Sequence, residues 1–292
     1  MPAATAILAG RAAEEDRLSA ADFDRIADLI GREVGIRLPP GKRLMVEGRL
    51  RRRLRALELQ NFDLYCRYLF SGNGMQAELP HLINVVTTNK TDFFREPEHF
   101  NLMRSTLVPS LLAARSGPQP PLLKVWSAAA STGAEAYTAA MVLDDLSRHH
   151  NGFRFAILGT DVSTDVLEIG RRAIYPADQI MPVPAEYQSR YLLWPRRRGL
   201  RNEVRIAPEL RRLVRFERLN LMDKSYPYDR DVDIILLRNV LIYFDKSDQA
   251  AVISRLVGHL RPGGYLLLGH SESMIGTSVP VRQVAPAVFQ RV

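Results

Sequence analysis

Residues 124–137 read KVWSAAASTGAEAY, and this stretch decides the fold. An apolar run ending at Trp126 passes directly into small residues up to Gly133, and an apolar face at helical spacing follows. This order predicts a strand, a tight turn and a helix start, with Ser131 and Thr132 as N-cap acceptors. Small side chains let a ligand approach the backbone, and a helix N-terminus has free N–H groups. The pattern is compatible with a ligand site and equally with a bare structural turn.

The composition limits the class of protein. The 292 residues are enough for about two domains, and 46% of them are hydrophobic, which permits buried cores. A net charge of +8 favours an acidic partner: nucleic acid, an anionic membrane surface or an acidic protein face. Cys66 is the only cysteine, so an intramolecular disulfide is impossible and a reducing compartment is expected.

No segment is typical of export or membrane insertion. Residues 1–17 lack the charged start and long apolar core of a signal peptide and are predicted to be a flexible tail. No apolar run approaches the roughly 20 residues of a membrane span. We therefore expect a cytoplasmic protein without direct membrane insertion.

Residues 18–78 are predicted to form an all-α domain, followed by a linker helix over residues 79–88. Its basic segment, Lys42–Leu59, has one apolar helical stripe. Arg49, Arg52 and Arg53 share a different face at spacing i, i+3, i+4. Because crowded like charges repel, this face is either a solvated surface or a docking surface for an acidic partner.

The second domain, residues 89–292, shows strands alternating with helices, which predicts a parallel sheet. The predicted strands are Leu122–Trp126, Phe153–Gly159, Leu213–Arg218, Val232–Leu237 and Tyr265–Gly269. Helices are predicted near Glu135–Ser147, Ser163–Arg172 and Lys246–His259. Residues 174–206, with four prolines and the basic run Arg196–Arg198, break this rhythm and predict an inserted small antiparallel β-subdomain.

Polar residues follow four of the predicted strands, where an open α/β sheet binds its ligand. These strand ends are Ser127–Gly133, Thr160-Asp161, Leu219-Asn220 and Arg238-Asn239-Val240. Asp161 could bind a ribose diol or cap the next helix, and Asn220 could bind an adenine edge. Their convergence favours a nucleoside-containing cofactor.

The turn after the first strand narrows the choice of cofactor. A single glycine, Gly133, disfavours a dinucleotide, and the absence of a lysine from the turn disfavours ATP. S-adenosylmethionine has no phosphate and carries a sulfonium, which suits a turn with the acidic neighbour Glu135. The residues therefore point to methyl transfer.

Four strings occur in order: TTNKTDFFRE, WSAAASTGAEAY, RNVLIYFDK and LRPGGYLLLGHSE. Together they resemble the bacterial chemotaxis receptor methyltransferases, the CheR family, over about residues 20–292. The resemblance implies a Rossmann-like class I S-adenosylmethionine-dependent methyltransferase domain, with the inserted antiparallel β-subdomain, behind an all-α domain. It also implies methyl transfer to glutamate side chains on acidic cytoplasmic helices of chemoreceptors, with S-adenosylhomocysteine as product. No nucleic-acid partner and no metal are implied, and a monomer is expected.

The resemblance also implies site residues. Cofactor contacts are implied at Asn89, Thr91, Arg95, Glu135, Asp161, Asn220, Leu221, Asn239 and Val240, and receptor docking at Arg49, Arg52 and Arg53. One departure is visible: the family reads Gly-Glu-Glu-Pro-Tyr where this chain has Gly-Ala-Glu-Ala-Tyr over residues 133–137. Glu135 is kept, but Ala136 lacks the pre-organisation that proline gives near a helix start.

The implied reaction needs little acid–base chemistry, because a glutamate carboxylate is already ionised at neutral pH. Catalysis should come from holding this carboxylate in line with the methyl group in a partly dry cleft. Arg95 could orient a carboxylate and Tyr243 could line the methyl channel. Alternatively, Arg95 pairs only with a nearby glutamate and Tyr243 is a core residue. His270 is interpreted as structural.

Two other functions stay open. One is a nucleic-acid methyltransferase, although the stacking aromatics expected beside basic residues are missing from residues 49–55. The other is a docking or sensor protein that binds S-adenosylmethionine or S-adenosylhomocysteine without catalysis, prompted by Ala134 and Ala136. The segment Leu193–Val204 could bind a receptor tether peptide, which the sequence does not decide.

Overall fold

A computed structural model describes residues 16–115, 120–149, 153–195, 202–274 and 278–292. The chain divides into two compact units, Met1–Thr88 and Asn89–Val292. Most of the predicted tail and the basic run Arg196–Arg198 in the Leu193–Val204 segment lie outside the described residues. Within the described part of the chain, every helix is too short or too polar to cross a membrane.

The described part of the first unit is built from helices. They are α1 (Ala20–Val34), α2 (Arg43–Ala56), α3 (Phe62–Leu69) and α4 (Gly72–Val86). Helix α1 begins where the side chain of Ser19 accepts a hydrogen bond from the backbone N–H of Asp22, and ends at Gly35 in a left-handed conformation. Burial of apolar side chains, among them Phe23 and Ile26, holds α1 against the rest of the unit.

The predicted linker helix over residues 79–88 is the second half of the longer helix α4. Helix α4 continues through Asn73, Gly74 and Pro80, although glycine and proline are unfavourable inside a helix. Gly74 is required by packing: a Cβ here would lie 1.8 Å from the carbonyl oxygen of Tyr68. Glycine at this position is therefore needed for the close approach of α3 and α4.

The second unit contains one large and one small sheet. Its elements are α5 (Pro97–Leu102), a π-helical turn (Met103–Leu107), α6 (Val108–Ala113), β1 (Leu122–Ala128), α7 (Ala134–His149), β2 (Arg154–Asp161), α8 (Thr164–Arg172), β3 (Ile174–Pro176), α9 (Ala185–Tyr191), β4 (Leu192–Leu193), β5 (Glu203–Ile206), α10 (Pro208–Arg211), β6 (Val214–Arg218), β7 (Val232–Leu237), α11 (Lys246–Val257), β8 (Leu260–Leu268), β9 (Val281–Ala285) and β10 (Val288–Arg291). Three short 3₁₀ turns, Pro40–Lys42, Ala177–Ile180 and Leu241–Tyr243, complete the described helical segments of the two units.

The large sheet has the order β6-β2-β1-β7-β8-β10-β9. The first five strands in this order, from β6 through β2, β1 and β7 to β8, run parallel to one another. Strand β10 is antiparallel to both of its neighbours, β8 and β9. All six residues of β7 are buried, as expected for a central strand covered on both faces. The chain moves outward from β1 in one direction and from β7 in the other. The carboxyl ends of β1 and β7 therefore flank the crevice where such sheets bind ligands.

The predicted fold class is confirmed, including the small antiparallel sheet, whose order is β3-β5-β4. Several predicted boundaries were wrong: β8, for example, begins at Leu260 rather than Tyr265. The sequence analysis missed β9 and β10. Strand β9 is an edge strand whose central three residues are all exposed, so it lacks the alternation of apolar and polar side chains that marks a half-buried strand.

Candidate functional site

The turn after β1 is held in an uncommon backbone conformation. Ala129, Ser131 and Gly133 have φ angles of 60°, 51° and 88°. A Cβ on Gly133 would lie 2.6 Å from the ring of Phe216, so backbone angle and packing both require glycine there. The hydroxyl of Ser131, predicted as an N-cap acceptor, donates instead to the carbonyl of Asn89 at 2.9 Å. This bond ties the turn to the loop that precedes α5.

Asp161, at the end of β2, caps the neighbouring backbone. Its carboxylate accepts hydrogen bonds from the N–H groups of Ser131 and Ser163, both at 2.9 Å. Burial raises the pKa of Asp161 although these N–H groups act in the opposite direction. Helix α8 has Ser163 as its N-cap residue, without a side-chain capping bond, so Asp161 fixes the turn and the backbone just before the helix rather than capping its first turn. Contact of Asp161 with a ribose stays a prediction. The N–H of Leu219 donates to the Asp161 carbonyl at 2.9 Å, which brings Asn220 to the same edge.

Arg238, at the end of β7, is the centre of the polar cluster. Its side chain is only 2% exposed. It donates to Glu135 Oε2 at 3.0 Å, to Glu96 Oε2 at 3.1 Å and to the backbone carbonyl of Arg95. Glu135 is fixed from its other side by the hydroxyl of Ser127 at 2.7 Å. One buried guanidinium thus joins three segments that are far apart in sequence.

Glu96 connects this cluster to the loop after β7. Its Oε1 accepts a hydrogen bond from the side-chain amide of Asn239 at 3.2 Å. Burial acts to raise the pKa of Glu96, but the Asn239 hydrogen bond and the charge of Arg238 outweigh it and hold the pKa below its usual range. Glu96 is therefore a carboxylate at neutral pH.

The carboxylate of Glu272 fixes the backbone of the loop that follows β7. It accepts backbone N–H bonds from Asn239 (2.9 Å), Val240 (2.8 Å), Leu241 (2.7 Å) and Gly269 (2.6 Å). Burial nevertheless raises the pKa of Glu272. A Cβ on Gly269 would lie 2.5 Å from the side-chain nitrogen of Asn239, so only glycine lets the two loops approach this closely.

Backbone strain is concentrated around these residues. Of the eight non-glycine residues with positive φ in the described chain, five lie in the segments of this site: Phe94, Glu96, Ala129, Ser131 and Asn239. Such conformations cost about 1–3 kcal/mol each and are typical of functional sites, where the surrounding structure enforces them. The clustering therefore indicates a binding site at the carboxyl edge of the sheet.

Two histidines lie beside Glu96. His99 is 3% exposed, and its Nδ1 is 3.5 Å from Glu96 Oε2. Burial and the nearby Arg238 lower the pKa of His99 to about 4, so its imidazole is neutral at pH 7. His270 is about half exposed, with its Nε2 at 3.9 Å from the same oxygen.

The structure brings most of the predicted cofactor residues together. The contacts of Arg238 and Glu272 join Arg95, Glu135, Asn239 and Val240. Asp161 is linked to Asn89 through Ser131, and its bond to Leu219 brings the chain leading to Asn220 and Leu221 to the same edge. Among the described residues, these contacts do not include the side chains of Thr91 and Tyr243. The guanidinium of Arg95 lies 3.4 Å from the carbonyl of Lys90.

From the sequence, Arg238 was predicted only as part of a polar strand end and Glu96 only as a possible partner of Arg95, and no role was predicted for Glu272 or His99. The sequence did contain a signal for Arg238, because it is a charged residue that directly follows the buried strand β7 and precedes Asn239. Nothing local in the sequence marks Glu272 as the acceptor of four N–H groups, because these donors come from two separate loops.

The predicted docking residues of α2 lie in the first unit, and two of them have internal partners. Arg49 donates to the carbonyls of residues 85, 86 and 87, at 3.1, 3.2 and 2.8 Å, and so caps the C-terminus of α4. Arg53 makes a two-pronged contact with Glu78, at 2.8 and 2.7 Å, and Tyr65 donates to the same carboxylate. Arg52 is exposed.

The fold and the site together define a class of protein. Carboxylates and amides at this edge of the sheet suit the amine, hydroxyl and adenine groups of S-adenosylmethionine: Glu135 in the first turn of α7, and Asp161, Asn220 and Asn239 at or after strand ends. The turn offers no lysine for a phosphate. This sheet and donor set are those of an S-adenosylmethionine-dependent methyltransferase.

Comparison with known proteins identifies the family. Residues 89–287 match the family described as CheR methyltransferase, SAM binding domain, and residues 21–87 match CheR methyltransferase, all-alpha domain. The chemotaxis protein methyltransferase of Escherichia coli is 40% identical over 259 residues, 88% of this chain and 85% of that protein. Chemotaxis protein methyltransferase 2 of Pseudomonas aeruginosa is 36% identical over 271 residues, 92% of each chain.

The chain belongs to the CheR methyltransferase family, a chemotaxis class that uses S-adenosylmethionine. The resemblance and the cofactor inferred from the sequence are thereby confirmed.

Proposed function

We propose that this chain transfers the methyl group of S-adenosylmethionine to glutamate carboxylates on cytoplasmic helices of chemoreceptors, forming glutamyl methyl esters. The observation that carries the proposal is the Glu135–Arg238–Glu96 cluster at the carboxyl ends of β1 and β7. It provides a fixed carboxylate for a cationic cofactor at the crevice of the sheet. The relationship to chemotaxis methyltransferases supports a receptor as the substrate.

The chain's own residues bind and orient rather than transfer protons. When bound, the cofactor supplies an electrophilic methyl group on a cationic sulfonium. Glu135, held by Ser127 and Arg238, is proposed to accept hydrogen bonds from the cofactor amine. Asp161 is proposed for the ribose hydroxyls and Asn220 for the adenine edge. The substrate carboxylate is already ionised at pH 7, so no side chain has to remove a proton.

The other predicted contacts complete this proposal. Asn89 and Thr91 lie in the loop before α5, which the Ser131 hydroxyl connects to the turn after β1. They would cover the cofactor crevice on the side of this loop. Leu221 and Val240 are apolar residues at the ends of β6 and β7 and would exclude water from the cofactor. A dry crevice strengthens the electrostatic contacts that remain.

Arg95 and Tyr243 are proposed to act on the substrate side. Arg95 would orient a carboxylate, and Tyr243 would line the path of the methyl group. Kinetics of Arg95→Ala and Tyr243→Phe test this assignment, with a fall in kcat/KM expected for each. Unchanged kcat/KM in both variants would remove them from the mechanism.

We propose that α2 is the docking surface for the acidic receptor helices. Of the predicted docking residues, Arg52 exposes its guanidinium, while Arg49 and Arg53 also fix α2 against α4. Arg52→Ala should weaken binding of a receptor fragment, most clearly at low salt, and leave cofactor binding unchanged. Arg67→Ala, which removes another exposed arginine of the same unit, is the matched control. Equal receptor affinity in Arg52→Ala and Arg67→Ala would contradict this assignment.

Transfer of radiolabelled methyl groups to a chemoreceptor cytoplasmic fragment tests the function. Label that alkali releases as volatile methanol identifies a carboxyl methyl ester. The control substrate is the same fragment with its surface glutamates changed to glutamine, which should accept no label. Cofactor binding without transfer would instead support a docking or sensor protein.

A further inference from the structure

We infer that Glu96, His99 and His270 form a binding site for a divalent transition-metal ion of the zinc class. One ligand atom from each of the three side chains lies within 4.8 Å of the other two. The methyl transfer itself gives these histidines no task, since it neither takes up nor releases a proton.

The arrangement follows from the local fold. Glu96 is the residue before α5, in a left-handed backbone conformation, and His99 lies three positions further on in the first turn of that helix, which brings its Nδ1 to 3.5 Å from Glu96 Oε2. Glutamate and histidine at this spacing serve as metal ligands in carboxylate-bridged di-iron proteins. His270 follows Gly269, which packs closely against Asn239 after β8, and supplies a second imidazole.

The distances are close to those a tetrahedral ion needs. His99 Nδ1 and His270 Nε2 lie 3.5 and 3.9 Å from Glu96 Oε2. At metal–ligand bond lengths of about 2.0–2.2 Å, tetrahedral ligand atoms lie about 3.4 Å apart. The ligand atoms of all three residues lie within 4.8 Å of one another, so binding an ion would bring the two imidazoles closer together. Since His270 is about half exposed, an ion can enter and solvent can fill the fourth position.

His99 supplies an independent reason to expect a ligand. Its side chain is 97% buried, and among the described residues neither ring nitrogen has a partner at full hydrogen-bond geometry, the backbone of Pro286 making only a looser polar contact. A buried polar nitrogen without a partner costs about 1–3 kcal/mol. A metal ion bound to the nitrogen that faces Glu96 would remove this penalty.

The surrounding charge and ligand type favour a zinc-class ion. Two carboxylates, Glu96 and Glu135, pair with the single guanidinium of Arg238, so this group of three side chains keeps one negative charge unbalanced. Arg238 also occupies Glu96 Oε2, so an ion would share that oxygen or displace the guanidinium from it. Two imidazoles and one carboxylate suit Zn²⁺ or Co²⁺, whereas Mg²⁺ and Ca²⁺ prefer oxygen ligands alone.

Cobalt titration tests the site directly. Untagged, chelator-treated full-length protein is titrated with Co²⁺, and the visible absorption of a tetrahedral ion is recorded. We expect one such ion per chain and its displacement by Zn²⁺. His270→Ala, which changes a half-exposed residue, should lower the Zn²⁺ affinity by at least about 10-fold. His149→Ala, which removes an exposed histidine beside Asp145, is the matched control and should bind like the wild type.

The outcomes separate this inference from the proposed function. Absence of the cobalt absorption, or an equal Zn²⁺ affinity in wild type and His270→Ala, would overturn the metal site. Neither result bears on cofactor binding or methyl transfer, which are measured without added metal.

Discussion

The buried ion pair between Arg53 and Glu78 gives the sharpest prediction for the first unit. Arg53 was predicted as a docking residue, but it contacts a carboxylate whose side chain is 1% exposed. Arg53→Met keeps the aliphatic part of the side chain and removes the charge. Glu78 then stays buried with the hydroxyl of Tyr65 as its remaining partner, at 3.1 Å.

Removing one member of a buried ion pair costs about 3–5 kcal/mol, because the other charge is left uncompensated. Since Tyr65 still donates to Glu78, we expect the free energy of unfolding to fall by about 3 kcal/mol, the lower end of this range. With a urea m value of roughly 1–2 kcal/mol/M, the midpoint of unfolding falls by about 1.5–3 M. Arg52→Met, which changes an exposed neighbour, should stay within about 0.5 kcal/mol of the wild type.

Urea unfolding followed by far-ultraviolet circular dichroism measures this loss in the full chain. Tryptophan emission reports the second unit alone, because Trp126 and Trp194 both lie there. Adding Glu78→Gln to Arg53→Met should recover much of the stability, since the buried group is then neutral. An Arg53→Met midpoint equal to that of Arg52→Met would refute the structural role of the pair.

Three further variants test the second unit. Gly133→Ala should destabilise the protein by about 2–4 kcal/mol in thermal unfolding, because the new Cβ meets Phe216 and φ stays positive; an unchanged Tm would contradict this packing. Glu272→Gln replaces one acceptor oxygen with an N–H₂ donor, so amide hydrogen exchange in residues 239–241 should become faster. Unchanged exchange would show that the carboxylate does not hold this loop. Arg238→Lys loses the planar geometry that reaches Glu135 and a second carboxylate together, so kcat/KM should fall at least about 10-fold, whereas wild-type kinetics would remove Arg238 from the site.

Much of the fold could be predicted because its signals are local. The apolar run into small residues at 122–133 marks β1 and its turn, and the proline-rich interruption marks the inserted sheet. The exposed strand β9 and the continuation of α4 through Pro80 depend on sheet-edge pairing and on contacts with α3, which a single stretch of sequence does not contain.

The candidate site was only partly predictable for the same reason. Polar strand ends such as Asp161 and Asn239 are visible in the sequence, because the carboxyl ends of parallel strands meet at one edge. The network around Arg238 needs three-dimensional information: its partners Glu96 and Glu135 are 142 and 103 residues away. The internal partners of Arg49 likewise depend on the C-terminus of α4 lying beside α2.

Calorimetric titration with S-adenosylmethionine tests the central claim, that the carboxyl edge of the sheet binds this cofactor through Glu135. The wild type should bind, and Glu135→Gln should lose about 1.5–3 kcal/mol of binding free energy, or about 10- to 150-fold in affinity, because a charged acceptor is lost. Glu186→Gln, an exposed change in the inserted subdomain, should bind like the wild type. No binding by the wild type, or equal affinity in Glu135→Gln, would contradict the account.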